Sequence, residues 1–183
     1  IGPRRLVGSG LINANQVKLA AGISFLIAAI AGLVLAIMTS LWLILIGFIA
    51  ILAAWFYTGG SRPYGYSGYG EVSVFIFFGL VATVGSSYVQ SQTIESISIL
   101  GSVPVGLLAS ALLVVNNFRD IETDAETGKQ TFAVRLGKAK TKVFFALLLV
   151  ASLGMYVWIA VVYTYLVLIT LVVIPLILKL IYD

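Results

Sequence analysis

Cysteine and histidine are both absent from this 183-residue chain. Their absence excludes disulfides, thiolate nucleophiles, Cys/His zinc sites, histidine-ligated haem and imidazole general bases. Charge is scarce as well. Only 10% of residues are charged, against about 25% in a soluble domain. The chain is 61% hydrophobic, with a mean hydropathy of +1.10. That balance is the mark of an integral membrane protein. Any chemistry has to run on carboxylates, Lys, Arg, Tyr, amides, hydroxyls and bound metal. The net charge of +4 indicates no nucleic-acid role, because the basic residues are spread along loops.

What is present is a series of six apolar runs, each long enough to span a bilayer. They are Leu19–Met38, Leu41–Tyr57, Val72–Val89, Ile97–Val115, Val143–Val162 and Tyr165–Tyr182. The second, third and sixth are short. Pro104 and Pro175 lie inside runs, where membrane helices tolerate them as kinks. The fold class is therefore all-α, a polytopic membrane helical bundle with six transmembrane helices. If the runs alternate, all eleven Lys and Arg fall on one side. Arg4, Arg5 and Lys18 precede the first run, and Arg62 follows the second. Arg119, Lys129, Arg135, Lys138, Lys140 and Lys142 follow the fourth, and Lys179 ends the sixth. The opposite side carries only Glu95. The positive-inside rule then puts both ends of this chain and both long loops in the cytoplasm.

Asn116–Leu136, NNFRDIETDAETGKQTFAVRL, is the most polar stretch. Asp120 and Asp124 are four apart, so on a helix both carboxylates share a face. Like charges so placed are worthwhile mainly where a cation is held. Mg²⁺ takes one or two carboxylates plus phosphate oxygens, and the flanking Arg119 and Lys129 suit the remaining phosphate charge. Asn116 and Asn117 lie one turn before Asp120, placed to orient the carboxylates or touch the metal. The alternative is a charged loop that only keeps a surface wet. The other long loop, Phe56–Glu71 (FYTGGSRPYGYSGYGE), is rich in Gly and Tyr and carries Arg62. Its glycines permit tight turns, and Tyr64 and Tyr66 offer flat faces with hydroxyl tips. An ordered pocket wall and an interfacial aromatic belt both fit that composition. A weak repeat relates Gly2–Val17 to Gly128–Val143, both polar, basic stretches leading into an apolar run. The acidic pair precedes Gly128, so the matching positions of the first copy would fall before residue 1.

These loops together resemble the UbiA superfamily of intramembrane prenyltransferases. NNFRDIETDAETGKQTFAVRLG looks like its second aspartate-rich motif, YTGGSRPYGYSGYGE is similar to a loop of its menaquinone branch, and IGPRRLVGSGLINANQV looks like the segment after its first aspartate-rich motif. The resemblance implies nine helices around a cavity capped on the cytoplasmic side, of which the six runs are the third to eighth. Residues 1–183 would then be a single transmembrane prenyltransferase domain, incomplete at both ends, with the first motif missing and activity near background. The implied reaction is Mg²⁺-dependent transfer from a polyprenyl diphosphate to an aromatic acceptor, dihydroxynaphthoate in the menaquinone branch. Asp120 and Asp124 would be the catalytic metal ligands. Asn116, Asn117, Arg119, Lys129, Arg62, Tyr64 and Tyr66 would bind substrate. The implied setting is the lipid bilayer of the cell (inner) membrane. The Tyr-x-x-x-Lys element of some relatives is matched only by Tyr57 with Arg62, at a different spacing. Other UbiA-type acceptors, a catalytically inactive membrane fragment, and a transporter with carboxylates on an ion path are the rival readings. The transporter would more naturally carry a charge at mid-membrane, and the runs have none before Lys179.

Overall fold

The computed structural model describes residues 6–182. Gly2, Arg4 and Arg5, used in the repeat and in the charge count, lie outside them. Every regular element among the described residues is helical. The chain divides at Ala53–Ala54 into two units.

The first unit holds α1 (Ala14–Met38) and most of α2 (Trp42–Thr58). α1 starts at a capping box. Asn13 Oδ1 accepts from the Asn15 amide at 3.1 Å, and Gln16 Oε1 accepts from the Asn13 amide at 3.3 Å. These bonds satisfy donors that every helix start leaves open. The helix ends where the Thr39 hydroxyl and amide both turn back to the Leu35 carbonyl. Almost all of its surface is exposed and apolar, with Ala36 the one buried residue of the element. Such a surface is stable only in a hydrocarbon or protein environment.

The second unit is built around α5 (Ser96–Arg119), which packs on α7 (Phe132–Val162) on one side. On the other it meets the run formed by α3 (Gly70–Val74), a π-helical segment (Phe75–Val81) and α4 (Ala82–Ser91). α5 turns a stripe of small residues inward: Ser98, Ser102, Gly106 and Ser110, each four apart and each buried. A Cβ on Gly79 would stand 2.5 Å from the Gly106 Cα, and one on Gly106 would stand 2.7 Å from the Phe75 ring. Close backbone approach through small residues is how membrane helices associate when hydrocarbon offers no hydrophobic drive. Against α7 the contact is apolar, with Ala111, Val114, Leu148 and Leu149 at its centre and Leu107, Phe144 and Phe145 around them. Ser152 Oγ adds a bond of 3.3 Å to the Pro104 carbonyl. Pro104 sits inside α5 without ending it.

The expectation of six spans is met only in part. Among the described residues four helices are long and apolar enough to cross a membrane: Ala14–Met38, Gly70–Ser91, Ser96–Arg119 and Phe132–Val162. Trp42–Thr58 is a shorter apolar helix. The sixth run is not one α-helix. It is a 3₁₀ stretch, Tyr165–Val173, followed by α8, Ile174–Tyr182. The reason is Pro175. It has no N–H for the Leu171 carbonyl, which instead takes the Ile174 amide in a tighter i+3 bond. α7 likewise breaks at Gly137, whose φ of 73° is non-helical.

Candidate active site

The acidic segment is a helix joint. Asp120 ends α5 and begins α6 (Ile121–Glu126), with φ −97° and ψ 9°. The helical bond register nonetheless runs through it. The Asp120 amide reaches the Asn116 carbonyl at 3.2 Å, and the Asp124 amide reaches the Asp120 carbonyl at 2.8 Å. α6 then stops in a Schellman motif. Gly128, at φ 75°, donates to Ala125 at 3.1 Å, and the Lys129 amide returns to the Asp124 carbonyl at 2.9 Å. That chain reversal brings Lys129 Nζ to Asp124 Oδ1 at 2.7 Å.

Each acid of the pair therefore already has a cation. Asp120, half-buried, receives Arg119 through Nε at 2.9 Å and Nη2 at 3.1 Å. Asp124 is buried, 7% exposed, and receives Lys129. The two cations expected to face phosphate are thus ion-pair partners of the carboxylates. A third pair joins Lys138 Nζ to Glu122 Oε1 at 2.6 Å. This bond and the nearby positive charge hold the Glu122 carboxyl below its ordinary value of 4.5.

The Gly-Tyr loop folds against this segment. Tyr64–Ser67 is a 3₁₀ turn closed by Gly68 at φ 82°. A Cβ on Gly68 would meet the Arg135 guanidinium carbon at 3.1 Å and the Gln130 carbonyl at 3.2 Å. The Gln130 amide donates to the Tyr66 carbonyl at 2.8 Å. Arg135 Nη2 donates to the Ser67 carbonyl at 2.8 Å, and its Nε to the Gln130 carbonyl at 3.1 Å. Lys129 Nζ stands 4.8 Å from the Tyr66 ring centroid, within cation–π range. Between the loops lies a pocket of about 330 Å³ whose lining includes Arg62, Tyr66, Ser67, Lys129, Gln130 and Arg135. Among the described residues no carboxylate lines it.

The expected residues divide accordingly. Arg62, Tyr66 and Lys129 meet at this pocket, and Asp124 touches it through Lys129. Arg119 and the exposed Asn116 stay with Asp120. Tyr64 is part of the cap's packing, its hydroxyl 3.1 Å from Ser73 Oγ and its ring edge-on to Tyr57 at 5.4 Å. Asn117 turns away from the carboxylates. Its Nδ2 donates to Glu71 Oε1 at 2.9 Å. Glu71 is itself buried, and its other oxygen has no partner among the described residues. The Glu71 carbonyl accepts from Ser110 Oγ at 3.0 Å, so α3 is tied to α5 at points two turns apart. Glu71 and Arg135 are the residues that spacing arguments missed. A lone acid at the head of an apolar run was the available signal for the first. For the second there was none, since Arg135 looked like one more loop cation.

Among the described residues no group of three or more His, Cys, Asp or Glu side chains gathers as a metal centre. The donors at hand are hard oxygens, the Asp120 and Asp124 carboxylates with the Asn116 amide nearby. They suit Mg²⁺, which fills its shell with phosphate oxygens and water around one or two carboxylates. A dication would take over the charge that Arg119 and Lys129 now balance.

Residues 2–183 match the UbiA prenyltransferase family. The chain belongs to that family. It is 48% identical over 151 residues to the 1,4-dihydroxy-2-naphthoate octaprenyltransferase of Mycobacterium leprae, covering 82% of this chain and 51% of that protein. The Escherichia coli protein of the same name is 40% identical over 159 residues, 84% of this chain and 52% of that one. The 2-carboxy-1,4-naphthoquinone phytyltransferase of Synechocystis is 35% identical over 120 residues, 62% of this chain and 38% of that one. The chain spans about half the length of the first two relatives. No solved structure matches significantly.

Proposed function

We propose that the protein containing this chain transfers a polyprenyl group from a polyprenyl diphosphate to 1,4-dihydroxy-2-naphthoate in the cell membrane, releasing diphosphate and the acceptor's carboxyl as CO₂ and giving the quinol form of demethylmenaquinone. The observation that carries this reading is the junction of the two loops. Asp124, Lys129 and Tyr66 form one connected series beside a pocket that also holds Arg62 and Arg135. The names of relatives 40–48% identical supply the acceptor.

Breaking an allylic C–O bond leaves diphosphate and an allylic cation, so the growing charge on diphosphate has to be neutralised. Asp120 and Asp124 would hold Mg²⁺, which when bound would supply Lewis-acid neutralisation with no proton transfer. Arg62 and Lys129 bind diphosphate oxygens from the pocket side, and Arg119 does so beside Asp120. Asn116, one turn before Asp120, orients the carboxylates. Tyr66 fixes the Lys129 ammonium and walls off water. The apolar helices below keep water from the allylic cation until the aromatic ring attacks. Both long loops and both ends of the chain are on the cytoplasmic side, where diphosphate and acceptor arrive.

The test uses the complete protein in lipid with Mg²⁺, a polyprenyl diphosphate and dihydroxynaphthoate. Prenylated naphthoquinol is expected, and Asp120→Asn and Asp124→Asn should each lower turnover by orders of magnitude. Transfer to a hydroxybenzoate in preference to the naphthoate would replace the acceptor. Near-normal Mg²⁺-dependent turnover in both variants would remove the metal role.

A further inference from the structure

Arg135 is held in an unusual way for an exposed arginine. Carbonyls hold it, not carboxylates. Its Nε donates to Gln130 and its Nη2 to Ser67, at 3.1 and 2.8 Å. Of the five N–H donors of a guanidinium, these bonds leave both on Nη1 and the second on Nη2. Among the described residues no carboxylate pairs with the group, and its partners are neutral backbone oxygens. The same side chain lines the pocket that Arg62 and Lys129 also line. Its orientation is set in advance from both loops. Gly68 leaves room for it where a Cβ would press on Cζ at 3.1 Å, and the Gln130–Tyr66 backbone bond holds the two carbonyl-bearing segments together.

We propose that Arg135 is a binding residue for a substrate oxyanion, a guanidinium oriented in advance by Ser67 and Gln130 and offering its remaining donors to the Arg62–Lys129 pocket. Holding an arginine still beforehand removes most of the ordering cost that a free surface arginine meets on binding an anion. Arg62, Arg135 and the Asp124-paired Lys129 line a pocket with no carboxylate among the described residues in its wall, which suits a diphosphate or a carboxylate. Both chemistries occur in the proposed reaction, on the prenyl donor and on the aromatic acid. Only the choice between these two anions rests on the prenyltransferase reading.

The experiment compares wild type, Arg135→Lys, Arg135→Gln and Gly68→Ala in the complete protein. Equilibrium binding of inorganic pyrophosphate and, separately, of 2-naphthoate is measured at low and high salt. Wild type should bind one of them. Arg135→Lys keeps the charge and loses the fork, so its Kd should rise by about tenfold. Arg135→Gln should rise further at low salt, with the gap to Arg135→Lys closing at high salt as screening removes the charge contribution. Gly68→Ala, which leaves Arg135 chemically intact, should weaken binding in the same direction. Loss confined to pyrophosphate assigns the diphosphate, and loss confined to naphthoate assigns the acid. Equal affinities for Arg135→Lys and Arg135→Gln at both salts, or no change from wild type, would overturn the proposal and leave Arg135 as a loop clamp. Because the readout is binding, it stands apart from turnover. A wild-type protein that binds pyrophosphate through Arg135 yet transfers no prenyl group would sink the proposed function and not this site.

Discussion

Lys129→Gln separates the structural and chemical roles of the acidic segment, because it removes the cation that Asp124 now has. The Asp124 side chain is 10% exposed and lies 2.7 Å from Lys129 Nζ. Without the ammonium a nearly buried carboxylate keeps fewer partners, at a cost of about 1–3 kcal/mol. The Lys129 side chain is 26% exposed, which puts the expected value near the middle, about 2 kcal/mol. For a chain of this size that is roughly a 4–8 °C fall in Tm. The informative measurement adds Mg²⁺. If Asp124 is a metal ligand, the dication replaces the missing charge. Lys129→Gln should then be stabilised by Mg²⁺ by about 2.7 kcal/mol at a hundredfold excess over its own Kd, and more than wild type at the same Mg²⁺, because in wild type the metal has to displace the Lys129 ammonium. Asp124→Asn should show the opposite. It leaves only a partly exposed lysine unpaired, costs at most about 1 kcal/mol, and gains nothing from Mg²⁺. Thermal unfolding in detergent, with Ca²⁺-free buffers with and without Mg²⁺, reads all three proteins. Equal Mg²⁺ stabilisation of Asp124→Asn and wild type would refute the ligand assignment.

Gly79→Ala should destabilise by about 1–3 kcal/mol, because its Cβ would stand 2.5 Å from backbone at Gly106; chemical unfolding of the purified protein measures it. Gly128→Ala meets no neighbour within 4 Å but sits at φ 75°. It should therefore cost about 1 kcal/mol and loosen the Lys129–Asp124 pair, seen as a smaller further loss when Lys129→Gln is added. Because the chain has no cysteine, single cysteines at Ser67 and Gln92 can be labelled cleanly. They should react from opposite faces of oriented vesicles, and labelling from one face would refute the topology. The Glu122 carboxyl titrates below 4.5 because Lys138 favours its charged form. Its small stabilisation is complete above the unfolded carboxyl's value and is lost as the pH falls through the lower folded one. Lys138→Met should move the midpoint of Glu122, followed by carbon NMR, back up toward 4.5.

The helical class and a kink at Pro175 were legible in the chain itself, whereas the start of α1 was not, since the apolar run begins at Leu19 and the helix at Ala14. Both legible features depend on local chemistry. Long apolar runs must satisfy their own backbone in lipid, and Pro175 removes a donor at its own position. The acidic pair was legible too, through spacing that survives even though Asp120 is a joint and not mid-helix. The partner choices of the polar side chains were not legible. Asn117 could have faced Asp120 or the opposite wall, and only the packing of α3 on α5 brings Glu71 to it from 46 residues away. Arg135 reaches Ser67 across 68 residues for the same kind of reason.

The sequence by itself determined that this is a membrane protein of helices with one acidic, cation-flanked segment, and that no thiol or imidazole chemistry is open to the chain. Those properties follow from residue types and from separations of a turn or less, which the backbone enforces wherever the chain goes. Tertiary structure alone decided which cations are committed to carboxylates and which stand ready in a pocket. Lys129 is tied to Asp124 through the turn at Gly128, while Arg135 is held by two carbonyls and pairs with no carboxylate among the described residues. Identical charges thus acquire different roles, because a side chain's partner is set by which distant backbone packs beside it, and that packing depends on small residues such as Gly68, Gly79 and Gly106 that leave the space.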